Sequence, residues 1–167
     1  MKSRGTTISC HKCGKVYEMD IYGRMNCING ETHFHHIPDW YDWQRECVRK
    51  EIENREYRLE AEVKIGIMRD YKAFYKVGDG VIIHDENGFW LTGCDGKLEY
   101  RHPSLASHTI NADFYWYTIG DCISIGNRDI LYYCFPKSPI PVAKIRLAAE
   151  ELYKIKRAEK RVKNKEL

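Results

Sequence analysis

Apolar residues recur at helical spacing in two parts of the chain and follow the shorter rhythm of strands between them. Trp40, Trp43 and Cys47, with Tyr41, Val48 and Ile52, repeat every three to four residues after Pro38. Proline suits a first helical turn, where its missing N–H has no partner to lose, so this spacing predicts a helix from about Pro38 to Glu56. Near the C-terminus Val142, Ile145, Ala149, Leu152 and Ile155 form one apolar stripe behind Pro139 and Pro141. Such a stripe predicts an amphipathic helix docked on a sheet, with the charged run Lys156 to Glu166 as a frayed tail.

From Arg58 the pattern changes to short segments broken by Gly, Asp and Asn. Strands are predicted at Arg58 to Met68, Gly80 to His84, Phe89 to Thr92, Leu98 to Arg101, Phe114 to Ile119, Cys122 to Ile125 and Ile130 to Phe135. Gly78, Gly80, Gly88 and Gly93 are assigned to turns. Upstream, residues 6 to 30 read as a ribbon in which Val16 to Tyr22 and Arg24 to Ile28 flank Gly23, with Asn29-Gly30 as a further turn. The expected fold is α+β: a zinc-ribbon-like N-terminal hairpin and helix, then an antiparallel β meander closed by a C-terminal amphipathic helix. Seven strands and one closing helix is the layout of pleckstrin-homology and related barrels, and a plain sheet under one helix is the competing architecture. The expected segments are 1–37, 38–57 and 58–167.

Composition narrows the class. A chain of 167 residues, 43% hydrophobic with twelve Tyr and four Trp, can fill a real core, which excludes a largely disordered chain. The net charge of +3 is unevenly spread: Ile140 to Leu167 holds nine Lys or Arg against four Glu, leaving −2 for the rest. A basic tail can meet phosphates or an anionic membrane face through Lys156, Arg157, Lys160 and Arg161, although most basic helix ends are simply solvated. No apolar run approaches the ~18 residues of a membrane-spanning helix, and no signal peptide is evident. The expected location is cytoplasmic, peripheral to a membrane at most. Seven cysteines, an odd number, suit free thiols in a reducing compartment.

The clearest chemical signal is Cys10-x-x-Cys13-Gly14. Such a turn aims two thiolates at one ion, its N–H groups bonding the sulfurs, and Gly14 tolerates the backbone that closes it. After the intervening hairpin the chain offers His33, His35 and His36. A Cys10, Cys13, His33, His36 set would make a closed structural zinc site. His-x-x-His is shorter than the usual interval, and nineteen residues separate Cys13 from His33, so Cys27, Cys47 or Glu31 remains open in place of His33. A redox role is weaker because no βαβ pattern surrounds the motif.

Catalytic signals are sparse. His108 and Asp113 match a His-x-x-x-x-Asp acid–base spacing, without the apolar strand before it and the phosphate-binding glycine segment after it. Cys94, Cys122 and Cys134 lie in or beside predicted strands and read as small buried apolar residues. No nucleophile elbow, phosphate loop or dinucleotide fingerprint occurs.

The phrases ISCHKCGKVYEMD, NGETHFHHIPDWYDWQRECVRKEI, GDGVIIHDENGFWLTG and AAEELYKIKRAEK resemble the region after the catalytic domain in Firmicute lysophospholipid acyltransferase-like proteins. The resemblance spans nearly the whole chain. It implies an accessory domain beside an upstream acyltransferase catalytic domain, whose His-x-x-x-x-Asp and Pro-Glu-Gly motifs lie outside this region. On this chain the family's Cys-x-x-Cys-Gly falls on Cys10, Cys13 and Gly14, and its His-Ile-Pro-Asp-Trp on His36 to Trp40. An acidic residue is frequent in the family at the position of His33, which favours His36 as the ligand. The expectation is a non-catalytic regulatory or membrane-positioning module. The alternative, a zinc ribbon binding nucleic acid, is disfavoured by the −2 balance of residues 1–139.

Overall fold

Turn-forming residues punctuate the N-terminal strands every few positions and keep them short. In the computed structural model, which describes residues 2–10, 13–69, 73–116 and 119–164, the chain forms two units, Met1–Glu46 and Cys47–Leu167. The first unit holds β1 (Lys2–Arg4), β2 (Thr7–Ser9), β3 (Val16–Met19) and β4 (Met25–Cys27), an antiparallel sheet in chain order. The hairpin expected around Gly23 forms with a wider turn. Asp20 Oδ1 accepts the N–H groups of Tyr22 at 2.8 Å and Arg24 at 2.9 Å, and Oδ2 takes Arg24 Nε at 2.7 Å. The carboxylate thus bonds groups a longer ladder would have paired, and the strands stop at Met19 and resume at Met25. Tyr17 and Met25 are the buried apolar residues of this unit among those described, a very small core.

Helix α1 spans Ile37–Glu53, three residues short of the expected end. Arg55 at φ 59° and a backbone bond from Tyr57 N–H to Glu51 O turn the chain out of the helix.

The second unit carries a seven-stranded sheet of β5 (Leu59–Arg69), β6 (Ala73–Asp85), β7 (Gly88–Gly93), β8 (Leu98–Pro103), β9 (Asn111–Trp116), β10 (Gly120–Gly126) and β11 (Leu131–Pro136). All pairs are antiparallel and the order is β8-β7-β6-β5-β11-β10-β9. The expected meander is therefore present, folded back so that β11 pairs with β5, Cys134 opposite Ile65. β8 and β9 are the outer strands and do not pair with each other, so no closed barrel forms among the described residues. The expected strand Phe114 to Ile119 appears as β9, while Tyr117 and Thr118 lie outside the described residues.

Strand alternation puts Ala61, Val63 and Ile65 on one face with Ile82, Phe89, Leu91, Ile123, Ile125 and Cys134, covered by Val142, Ile145 and Ala149. These last three belong to α2, Val142–Lys163. The run expected to fray is thus helical through Lys163. On the other face Phe74, Trp116, Tyr133 and Phe135 meet at ring-centroid distances of 4.8–5.8 Å. Gly66 makes room for this cluster, because a Cβ there would lie 2.0 Å from Phe74 Cζ.

Two glycine assignments need correction. Gly78 and Gly80 lie inside β6, and the strand begins seven residues earlier than expected, at Ala73. A Cβ on Gly80 would meet Thr92 O at 2.2 Å, and one on Gly78 would meet Cys94 Sγ at 2.9 Å. Close approach of the neighbouring β7 and the turn after it, rather than a chain reversal, requires glycine there. Gly93 closes β7 with its missing Cβ against Asp79 O at 2.5 Å. Gly88, at φ +112°, is the residue that does serve a turn.

Candidate metal ligands and a candidate anion surface

Around the thiol motif Gly14 N–H donates to Cys10 O and Cys10 N–H to Lys15 O, both at 2.9 Å, with Gly14 at φ +70°. Cys10 is half-buried and Cys13 exposed. A second loop is stitched to the same end of the ribbon. Asn29 Nδ2 donates to Gly14 O at 2.8 Å, Val16 N–H to Asn29 Oδ1 at 2.8 Å, and Lys15 Nζ to Glu31 O at 2.8 Å. Cys27 belongs to this loop: its thiol contacts Asn29 Oδ1 at 3.5 Å, and its Sγ lies 3.9 Å from where a Cβ on Gly30 would stand.

The histidines part company. Thr32 Oγ1 accepts the N–H of Cys27 at 3.0 Å, which starts His33 from the level of that thiol. His36 instead bridges Arg24 beyond the hairpin turn, where Met25 N–H donates to His35 O. The Cys10–Lys15 row and the Asp20–Arg24 row are five residues apart along β3, roughly 16 Å at ~3.3 Å per residue. The backbone pairing therefore sets Cys10 at the end of the ribbon toward which Cys27 and His33 lie, and leaves His36 at the other. Cys47 lies on α1 in the other unit. Thiolates suit a soft ion such as zinc; among the described residues no three His, Cys, Asp or Glu side chains are placed to hold one.

The four cations singled out on α2 divide between two sides of the helix. Lys156 and Lys160, with Lys163 and Glu159, line a groove of about 420 Å³ against Glu86, Asn87 and Ser104. Arg157 and Arg161, with Tyr153 and Lys154, line another of about 440 Å³ under His108. His108 meets Tyr153 edge-on at 5.2 Å. Asp113 registers with Cys122 across β9 and β10, and its chain neighbour Ala112 packs into the core that α2 covers. Alternation thus places the Asp113 side chain on the face opposite the helix, so the strand that carries it separates the His108–Asp113 pair.

Sequence reading missed a buried polar line. His84 is 1% exposed, stacks on Phe89 at 3.7 Å, and shares a 2.8 Å hydrogen bond between Nδ1 and the Tyr57 hydroxyl. Burial, then the nearby His102, lowers its pKa to about 3, and burial raises that of Tyr57. His102 bonds Ser107 Oγ through Nε2 at 2.8 Å, and burial lowers its pKa too. The adjoining space is about 10 Å³, roughly enough for one water and for no substrate, so this Ser–His contact fits a structural role. Twenty-six residues lie between Tyr57 and His84, and no local motif links them. Cys122 and Cys134 are buried as expected, whereas Cys94, in the turn after β7, is only half-buried; burial pushes the Cys122 pKa up to about 12, and a thiol so placed is a poor nucleophile.

No helix is long and apolar enough to cross a membrane among the described residues. No protein-family model, curated protein or solved structure matches the chain.

Proposed function

We propose that this chain is a non-catalytic accessory domain that rests on an anionic membrane surface through the basic end of α2, with an N-terminal ribbon stapled by structural zinc. The observation that carries it is the placement of Lys156, Arg157, Lys160 and Arg161 on the last turns of α2, past Leu152, the last of its buried residues. Helical cations held at a surface each contribute about 1 kcal/mol toward anionic lipid, an attraction that fades within a Debye length. A pleckstrin-homology-like arrangement is the finer reading, supported by the return of β11 to β5 and by the helix that covers the core face. The phrases quoted above make a phospholipid-biosynthesis acyltransferase the proposed partner.

For the ribbon, the reading places zinc on the Cys10 and Cys13 thiolates, with Cys27 and His33 as the remaining donors in reach of that end. Zinc there supplies folding free energy rather than chemistry, because Tyr17 and Met25, the buried apolar residues among those described, make a weak core.

The test is co-sedimentation with phosphatidylcholine vesicles containing phosphatidylglycerol at low and high salt. Binding at low salt that falls as salt rises supports the reading. Replacing Lys156, Arg157, Lys160 and Arg161 by Ala keeps the helix, Ala being its best former, and should abolish binding. No binding at low salt overturns the surface role, and tighter binding to duplex nucleic acid than to vesicles moves the protein to the other class.

A further inference from the structure

The two basic grooves on α2 differ in what surrounds their charges. In the first, Lys156 lies 3.5 Å from Glu159, and Glu86 lines the far wall. A third groove, about 390 Å³ beside the aromatic face, has lysines at 64, 76 and 137, but Lys137 is held by Glu62 at 3.4 Å and Asp79 at 3.3 Å, and Asp121 joins the lining. Among the described residues the groove under His108 is lined by no carboxylate: its lining is His108, Tyr153, Lys154, Arg157, Ala158 and Arg161. Lys154 gives its charge to the buried Glu151 at 2.7 Å. Glu150 is occupied with Arg146 at 3.3 Å and the Thr109 hydroxyl at 3.2 Å. No acid stands within ion-pair reach of Arg157 or Arg161 among the described residues.

Arg157 and Arg161 are one helical turn apart, which places their guanidinium forks over the same patch. Arg157 also sits 5.8 Å over the Tyr153 ring, the ring whose other neighbour is the His108 imidazole. Like charges at this spacing disfavour the helix slightly, and an anion between them removes that repulsion while accepting charge-assisted hydrogen bonds from both forks. Planar forks match the oxygens of a phosphoryl group, and a histidine at the rim adds a donor when protonated.

We propose that the groove formed by His108, Tyr153, Arg157 and Arg161 is a binding site for a phosphomonoester dianion. The proposal deepens the membrane-surface reading by separating one specific site from a general basic face, and it rests on that reading only for the lipid as the source of the phosphate. The chemistry is shared by a phosphatidate headgroup and by free phosphate, and the arms below separate them.

The full chain is titrated with inorganic phosphate at constant ionic strength, with chloride as the balancing salt, while the His108 ring protons are followed by NMR. In parallel it is sedimented with phosphatidylcholine vesicles carrying phosphatidate or, at equal surface charge, phosphatidylserine. The expected result is a saturable phosphate shift at His108. The Arg157→Ala, Arg161→Ala double variant should weaken it at least about tenfold, as loss of two charge-assisted contacts implies. The Lys156→Ala, Lys160→Ala variant should keep it within about twofold, since its lysines line the other groove. All four residues are near or at the surface, and Arg157→Lys with Arg161→Lys, which keeps charge but loses the forks, should fall between the two.

A phosphate shift with preference for phosphatidate over phosphatidylserine supports the site with lipid as its source. A phosphate shift without that preference supports the site with a soluble source, and if vesicles are also not bound, the membrane reading alone falls. Absence of a saturable shift, or a shift equally lost in the Lys156/Lys160 variant, overturns the proposal, and vesicle binding that persists in that case leaves the general surface reading standing.

Discussion

His84 shows how much one residue can depend on its surroundings. On its strand it shares the core face with Ile82, and it is almost fully enclosed between Phe89 and the Tyr57 hydroxyl. Its folded pKa of about 3 lies below the ordinary 6.5, so the fold keeps the ring neutral where the unfolded chain would take a proton. The unfolded state therefore binds more protons below pH 6.5, and stability is full above that value and lost as pH falls toward 3. For this one group the slope reaches about 1.4 kcal/mol per pH unit. Urea unfolding between pH 7 and 4.5 should show it, and His84→Gln, which still accepts from Tyr57, should flatten the dependence; an unchanged slope would contradict the assignment. The thiols at positions 10 and 13 are the opposite case, because the spacing on which their proposed joint role rests is written in the sequence itself.

At the scale of elements, amphipathic helices were legible because the apolar stripe and the docking face are the same residues, as Val142, Ile145 and Ala149 show. Strand ends were less so. β6 begins at Ala73, and its glycines at 78 and 80 look like breakers in one dimension. They are places where a neighbouring backbone comes too near for a side chain. Gly80→Ala would put a methyl group 2.2 Å from Thr92 O and 2.7 Å from Ile65 Cδ1, so we expect a loss of about 1–3 kcal/mol, read as a lower urea midpoint at unchanged m-value. Gly66→Ala should cost a similar ~1–3 kcal/mol by pushing the Phe74 ring out of its cluster, which quenching of Trp116 fluorescence by acrylamide would report as greater access. At the β3–β4 turn the sequence carries a signal in Asp20, whose carboxylate accepts the N–H groups of Tyr22 and Arg24, beside Gly23 at φ +77°.

At the scale of the whole molecule, two units of unequal core predict two responses to chelation. Residues 59–163 bury an extensive apolar set under α2, whereas the ribbon buries two apolar side chains among its described residues. If zinc holds the ribbon, EDTA should collapse the amide dispersion of residues 2–36 in an NMR spectrum and leave the second unit unchanged. Elemental analysis should then find about one zinc per chain, as a single closed site requires, with loss in Cys10→Ser and Cys13→Ser. Retention of metal in His36→Ala with loss in Cys27→Ser would follow from the ends at which these residues lie.

The sequence by itself determined the α+β class, the antiparallel meander, both helices, the paired thiols and the basic end, because each is written in neighbours along the chain: a spacing, a turn, a run of charge. Only the tertiary structure decided that β11 returns to β5, that His36 stands at the far end of the ribbon from Cys10, that β9 separates His108 from Asp113, and that four cations split into two grooves. Those facts depend on which strands pair and which helix face turns inward, and pairing across tens of residues leaves no periodic mark on either partner.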